Sequence, residues 1–362
     1  MLNKTFKNKK VLITGHTGFK GTWLSLICNN LGAEVIGISK DNINNKSFHN
    51  SVKRINKFNY YFDLRNYNKL EKTLLRHKPN FIFHLAAQAL VHESFINPFE
   101  TFHNNFNSSL NLLELCKKLK LKTNFVFITS DKSYKNIEKK TGYKENETLG
   151  GDDPYSGSKA SLEMMINSYV KSFFSSDKYK RTKLAIARAG NVIGGGDFSE
   201  NRIIPDAYKY WYQQKKIPIR NPSATRPWQF VLEPLMGYIL LAKKLSEGYL
   251  VGESFNFGPK NLNHINTKTL IKKLNQFSTQ LVPENFFYEI KTKKNIIFKE
   301  STLLQLNSDK ALKKLNWKCH LSIDQTLKYT ADWYLMFNKQ KNILNFTQNQ
   351  IGDYLNEFYS NH

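Results

Sequence analysis

Residues Val11-Leu12-Ile13-Thr14-Gly15-His16-Thr17-Gly18-Phe19-Lys20-Gly21 carry the reading of the fold. A short apolar strand runs into a GxxGxxG turn, and a helical pattern follows through about Leu31. Glycine lets a backbone turn tightly and approach a phosphate closely. The helix start adds free N–H groups and the positive end of its dipole. A glycine motif by itself is weak evidence, because a tight strand–helix turn with no ligand looks the same. Its place between strand and helix favours a dinucleotide site. Gly15, Thr17, Gly18, Phe19 and Gly21 are the candidates for holding a pyrophosphate there.

Outward from this turn the chain alternates. Glu34 to Ile38, Phe81 to Leu85, Phe125 to Ile128 and Leu184 to Ala187 read as strands. Helical patterns lie between them, near Asn105 to Leu119 and from about Pro154. Strands alternating with helices predict βαβ units and a doubly wound parallel sheet of the Rossmann type, an α/β fold. After about Gly190 the pattern loosens into the turn Gly194-Gly195-Gly196, short helices, loops and the strand-like Ser254-Phe255-Asn256-Phe257. The expected division is a dinucleotide domain over 1–190 and a smaller C-terminal substrate-binding domain over 191–362. Segments near 228–260 are expected to return to the first.

In such a fold an acidic residue about 20 residues after the glycine turn binds the adenine ribose. Asp41 stands there, beside Lys40, which instead suits a 2′-phosphate; NAD is preferred over NADP. Asp63, with the adjoining Leu64, follows another expected strand, where a carboxylate accepts from an adenine amino group or caps a loop.

Tyr155-Ser156-Gly157-Ser158-Lys159 places a tyrosine and a lysine on one helix face. A free tyrosine is a poor base at neutral pH, and a neighbouring ammonium favours its phenolate. The pair then removes a proton from a sugar hydroxyl as hydrogen leaves the same carbon. Such a pair is common on solvated helices. It acquires meaning from the strand end Thr129-Ser130-Asp131-Lys132 just before it, since ligands of open α/β sheets sit at the carboxyl ends of strands. Ser130 is placed to donate to the hydroxyl being oxidised, and Asp131 and Lys132 add an acid and a base.

Gly15 to Gly21, His84-Leu85-Ala86-Ala87-Gln88, Ser130, and Tyr155 with Lys159 together resemble the extended short-chain dehydrogenase/reductase family. Thr129 to Lys132, Arg188 to Asp197 and Ala224-Thr225-Arg226-Pro227-Trp228-Gln229 resemble its nucleotide-sugar 4,6-dehydratases, in particular those acting on CDP-glucose. The likeness spans nearly the whole chain. It implies NAD as cofactor, CDP-glucose as substrate, and a homo-oligomer, dimer or tetramer. Ala86 and Ala87 would line the cofactor, and Asn105 would be the structural asparagine of the long helix. Ser130, Tyr155 and Lys159 would form the catalytic triad, and Asp131 the acid for the departing 6-hydroxyl. Asn191, Arg226 and Arg202 would meet the sugar diphosphate, where an arginine fork suits phosphate oxygens. Related dehydratases of dTDP-glucose and GDP-mannose carry glutamate where Lys132 stands; the CDP-glucose enzymes resemble this chain in having lysine. The C5 base stays open. The alternatives are a nucleotide-sugar 4-epimerase, a dehydratase of another nucleotide sugar, and a non-enzymatic binding protein on the same fold.

Lys plus Arg number 54 against 29 Asp plus Glu, for a formal charge of +25. The cations are spread along the chain, and no nucleic-acid module stands out, so anionic small ligands are expected rather than nucleic acid. Cys28, Cys116 and Cys319 form no metal-spaced or disulfide pattern, and no metal site can be drawn. The start shows no secretory apolar core, and no run is long enough to span a membrane. A cytoplasmic enzyme is expected.

Overall fold

The structure, a computed structural model, describes residues 2–40, 48–52, 55–219, 221–259, 264–282, 288–290 and 303–360. Strand β1 (Lys10–Thr14) sends Val11 and Ile13 into one apolar core and Leu12 into another. The same alternation holds in β4 (Phe81–His84), β5 (Thr123–Ile128) and β6 (Thr182–Ala189). Phe83, Val126 and Ala187 face the first core, while Ile82, Phe125 and Ile186 face the second. With both faces covered, these strands read as continuous apolar runs.

With β2 (Glu34–Ser39), β3 (Phe58–Tyr61) and β7 (Ser254–Phe257) they form one parallel sheet in the order β7-β6-β5-β4-β1-β2-β3. The order reverses across β1 and β4, where Thr14 pairs with His84. That reversal opens the crevice in which doubly wound sheets bind ligands. Helix α1 (Phe19–Asn30) leaves the glycine turn, α2 (Tyr67–His77) and α3 (Ser108–Lys118) cover the sheet, and α4 (Pro154–Tyr169) carries Tyr155 and Lys159. The helical stretch expected to begin near Asn105 opens as a π-helical turn, His103–Asn107.

The expectation of short helices after Gly190 is corrected. Helices α5 (Leu232–Ser246), α6 (Ile323–Asn338) and α7 (Ile343–Ser360) have 15, 16 and 18 residues. Helix α5 is apolar nearly all round and lies in the first core, so it shows no one-sided pattern. Gly237 lets it approach the sheet: a Cβ there would stand 2.3 Å from the Phe257 ring. The Gly194–Gly196 turn lies under Trp333 and Phe48. A Cβ on Gly195 would stand 1.9 Å from the indole of Trp333, and Gly196 has φ +83°. The Trp23 N–H donates to the Gly195 carbonyl at 2.8 Å, so Trp23 is a packing residue.

Candidate active site

The three glycines of the opening turn have different tasks. Gly15 has φ +72°, and a Cβ would lie 2.8 Å from the Ala86 amide nitrogen at the end of β4. Gly21 packs the helix on the turn: its Cβ would lie 2.1 Å from the Gly15 carbonyl oxygen. Gly18 caps α1 with an extended backbone and no side-chain capping bond, and a Cβ there would meet only that same oxygen at 3.3 Å. Thr17 N–H donates to Ser39 Oγ at 3.2 Å, which ties the turn to β2, and Phe19 lines the cleft beyond it.

Asp41 lies outside the described residues. Asp63 is held by its neighbour: Arg65 donates from Nε and a terminal nitrogen to both carboxylate oxygens. Burial works against its charge, but the Arg65 hydrogen bonds outweigh it and the acid stays below its usual range. Lys40 is 3.7 Å away. Leu64, Ala86 and Ala87 line the same cleft. Beneath them His84 is buried between Thr14 Oγ1 at 2.7 Å and Ser109 Oγ at 2.8 Å, and burial pushes its pKa down to about 3. A neutral, doubly bonded histidine is a structural one.

At the end of β5, Ser130 donates to Asp131 Oδ1 at 2.9 Å and accepts from the Lys132 amide at 3.2 Å. Asp131 is 4% exposed, and burial raises its pKa even though Lys132, Ser130 and Arg226 pull the other way. Tyr155 is buried beside it. Burial pushes its hydroxyl up to about 12; the Ser130 hydrogen bond and the Arg202 charge act to lower it, while Asp131 raises it. Lys159 falls to about 8 through burial, with Glu163 opposing. Asn105 ties this helix to the sheet: it accepts from the Gln88 amide at 2.8 Å and donates to Ser158 Oγ at 2.9 Å.

Arg226 lies in the short strand Thr225–Pro227, paired antiparallel with His264–Asn266. It is 6% exposed and one terminal nitrogen donates to the Thr225 carbonyl at 2.9 Å, so it is no surface arginine. Trp228 donates to the Ile265 carbonyl at 3.3 Å. Arg202 pairs with the buried Asp197 at 3.0 Å. Asn191 follows β6, and its carbonyl accepts from the Gln229 amide at 3.1 Å. Arg226, Trp228, Arg202, Asp197 and Asn191 line one cleft of about 1190 Å3, together with the glycine turn, Ser130, Asp131, Lys132, Tyr155 and Lys159.

The sequence profile of the GDP-mannose 4,6 dehydratase family matches residues 12–330. The chain belongs to this family. Within it, the CDP-glucose 4,6-dehydratase of Salmonella typhimurium is 37% identical over 98% of this chain and 99% of its own. The dTDP-glucose 4,6-dehydratase of Haemophilus influenzae is 24% identical over 90% of this chain and 97% of its own. The fold is shared with the Bacillus anthracis dTDP-glucose 4,6-dehydratase in complex with NAD (TM-score 0.75, 21% identity, 93% of this chain and 99% of that one). It is also shared with the UDP-glucose 4-epimerase of Thermotoga maritima (TM-score 0.76, 23% identity, 91% and 99%).

Lys20, inside the glycine motif, is a further charged residue of the cleft. Its ammonium lies 6.0 Å from the Tyr238 ring centroid, and burial with the Arg202 charge lowers it to about 8 against the pull of Asp131. A cation between the second and third glycines was the available signal. Glu163 and Arg188 form a buried ion pair that nothing local in the sequence marks.

Proposed function

We propose that this chain converts CDP-glucose to CDP-4-keto-6-deoxyglucose and water, with NAD as cofactor. The observation that carries the proposal is Asp131: a buried carboxyl group with a raised pKa, one residue from Ser130 and beside Tyr155. A 4-epimerase has no use for an acid there, whereas loss of a 6-hydroxyl requires a proton donor. Kinship to the Salmonella enzyme supports CDP-glucose as the substrate.

The residues fit a dinucleotide. The positive φ of Gly15, the space at Gly18 and the uncapped start of α1 make a cradle that side chains would fill. When bound, NAD would supply the two-electron acceptor and donor for the hydrogen that leaves C4 and arrives at C6. Leu64, Ala86 and Ala87 flank that cradle, and Asp63 is taken as the acceptor for adenine. Tyr155 receives the C4 hydroxyl proton, with Ser130 orienting that hydroxyl. Because Tyr155 stands at about 12 in the free protein, its ionisation depends on positive charge brought close, from Lys159 and from the cofactor. The C4 ketone acidifies the C5 proton. Lys132 at the cleft is the candidate base, and Asp131 protonates the departing 6-hydroxyl. Arg226, Asn191 and Arg202 hold the diphosphate.

The proposal includes a homo-oligomer, dimer or tetramer. Ile96, Phe99 and Met164 are 59%, 74% and 65% exposed on mutually packed helices, an apolar surface that a second copy would cover. It also includes a cytoplasmic setting, consistent with free Cys28, Cys116 and Cys319; among the described residues no helix is long and apolar enough to cross a membrane.

Incubation with CDP-glucose deuterated at C4 tests the reaction. The expected product has lost one water and carries the deuterium in its C6 methyl group. Deuterium retained at C4 with inversion and no water lost would establish the epimerase instead. A panel of other nucleotide-glucoses, turned over faster than CDP-glucose, would overturn the substrate.

A further inference from the structure

Behind the catalytic strand end lies a fully buried ion pair. Arg188 on β6 donates from Nε to both oxygens of Glu163 at 3.0 and 2.9 Å, and from one terminal nitrogen to Oε2. The side chains are 2% and 0% exposed. Thr129 Oγ1 donates to Glu163 Oε1 at 2.6 Å. The remaining arm of Arg188 reaches the Tyr134 hydroxyl and the Glu145 carbonyl, and Tyr134 donates onward to Asn256 Oδ1 at 2.9 Å.

A buried pair is weak evidence for stability, because desolvation offsets the attraction and apolar packing holds elements together as well. The position of this pair points to another task. Thr129 precedes Ser130, Tyr134 is two residues beyond Lys132, and Arg188 comes three residues before Asn191. Glu163 is four residues after Lys159, which puts both on one face of α4. One pair therefore joins the strand end that carries Ser130 and Asp131, the helix that carries Tyr155 and Lys159, and the strand that leads to Asn191.

We propose that Glu163 and Arg188 are positioning residues of the active site: their ion pair aligns Ser130 and Asp131 with the helix of Tyr155, and the Glu163 carboxylate keeps Lys159 charged. The inference rests on the dehydratase reading for its first half; the second concerns the free protein. The groups facing Lys159 agree with it. Lys20 from α1 repels it, and His84 from β4 is neutral. Asp131 at the end of β5 acts on Lys20, and Tyr155 shares the helix. Glu163 is the group that raises Lys159 against burial.

The test uses the full chain with Glu163→Gln, folded by circular dichroism. Lys159 is titrated without cofactor or substrate, by pH-dependent acetylation read from its peptide by mass spectrometry. Its midpoint is expected to lie about one pH unit below that of the parent. With CDP-glucose, kcat is expected to fall about tenfold or more with KM within about threefold, and the alkaline limb of the rate profile to move to lower pH. Glu163→Asp should recover part of both. Thr129→Val, which removes only the hydroxyl arm, should lower kcat about fivefold and leave the Lys159 midpoint in place. An unmoved Lys159 midpoint in Glu163→Gln, or full kcat in Thr129→Val, would overturn the inference. A shifted midpoint in a protein whose parent dehydrates no nucleotide sugar would sustain the electrostatic half and overturn the functional reading.

Discussion

Alanine at Gly18 and alanine at Gly21 should have opposite consequences, although both add one methyl group to the same turn. At Gly21 the new Cβ would stand 2.1 Å from the Gly15 carbonyl oxygen and 2.8 Å from His16 Cα. Comfortable carbon contacts lie at about 3.5–4.0 Å, so backbone on both sides must move by more than about 1 Å. Overpacking of this kind costs about 1–3 kcal/mol, and the upper end applies where no flexible side chain can yield. At Gly18 the φ of −74° is open to alanine, and the nearest atom is 3.3 Å away. The smaller entropy of the unfolded alanine chain offsets part of that tight contact, so stability should change by less than about 1 kcal/mol. A dinucleotide laid across this turn would lose its close backbone approach. A clash of about 1–3 kcal/mol there weakens NAD by about 5- to 150-fold. Urea denaturation of the free proteins and titration calorimetry with NAD separate the two effects. Gly21→Ala should lower the denaturation midpoint, and Gly18→Ala should spare it and weaken NAD. A Gly21→Ala protein as stable as the parent, or a Gly18→Ala protein with unchanged NAD affinity, would refute this division of labour.

Tyr155→Phe should lower kcat by about 10²–10⁴-fold while substrate still binds, since only the proton-accepting oxygen is lost; steady-state kinetics with a substrate-binding titration checks it. Asp131→Asn should form reduced cofactor, seen by its absorbance, and stall before water leaves. In the parent, burial raises the Asp131 pKa, so the proton-donating form persists to higher pH than in an ordinary aspartate, and water loss should decline only as pH rises through that raised value. Arg226→Ala should raise KM for the nucleotide sugar by about 10- to 100-fold, the worth of a charged hydrogen bond at about 1.5–3 kcal/mol, with NAD affinity held within about threefold. Equal losses for both ligands would mean general damage instead.

The features legible in the order of residues are local ones. The β1 strand, its glycine turn and α1 are contiguous, so their order and spacing announce a phosphate cradle. Tyr155 and Lys159 share a helix face because four residues make one turn. The apolar runs of β4, β5 and β6 are legible because a sheet covered on both faces needs no polar alternation. Helix α5 was missed for the related reason that burial on every side erases the one-sided pattern a helix usually shows. Which distant residues meet is set by the folded chain. Lys20 joins Asp131 because the end of β5 and the turn after β1 open on one crevice. Arg226 turns inward because Thr225–Pro227 pairs with a strand some forty residues later. Gly195 is required by Trp333, and Glu163 by Arg188. Such pairings leave no periodic trace, since the attraction between a buried carboxylate and a guanidinium depends on distance in space, and chain folding sets that distance independently of separation in sequence.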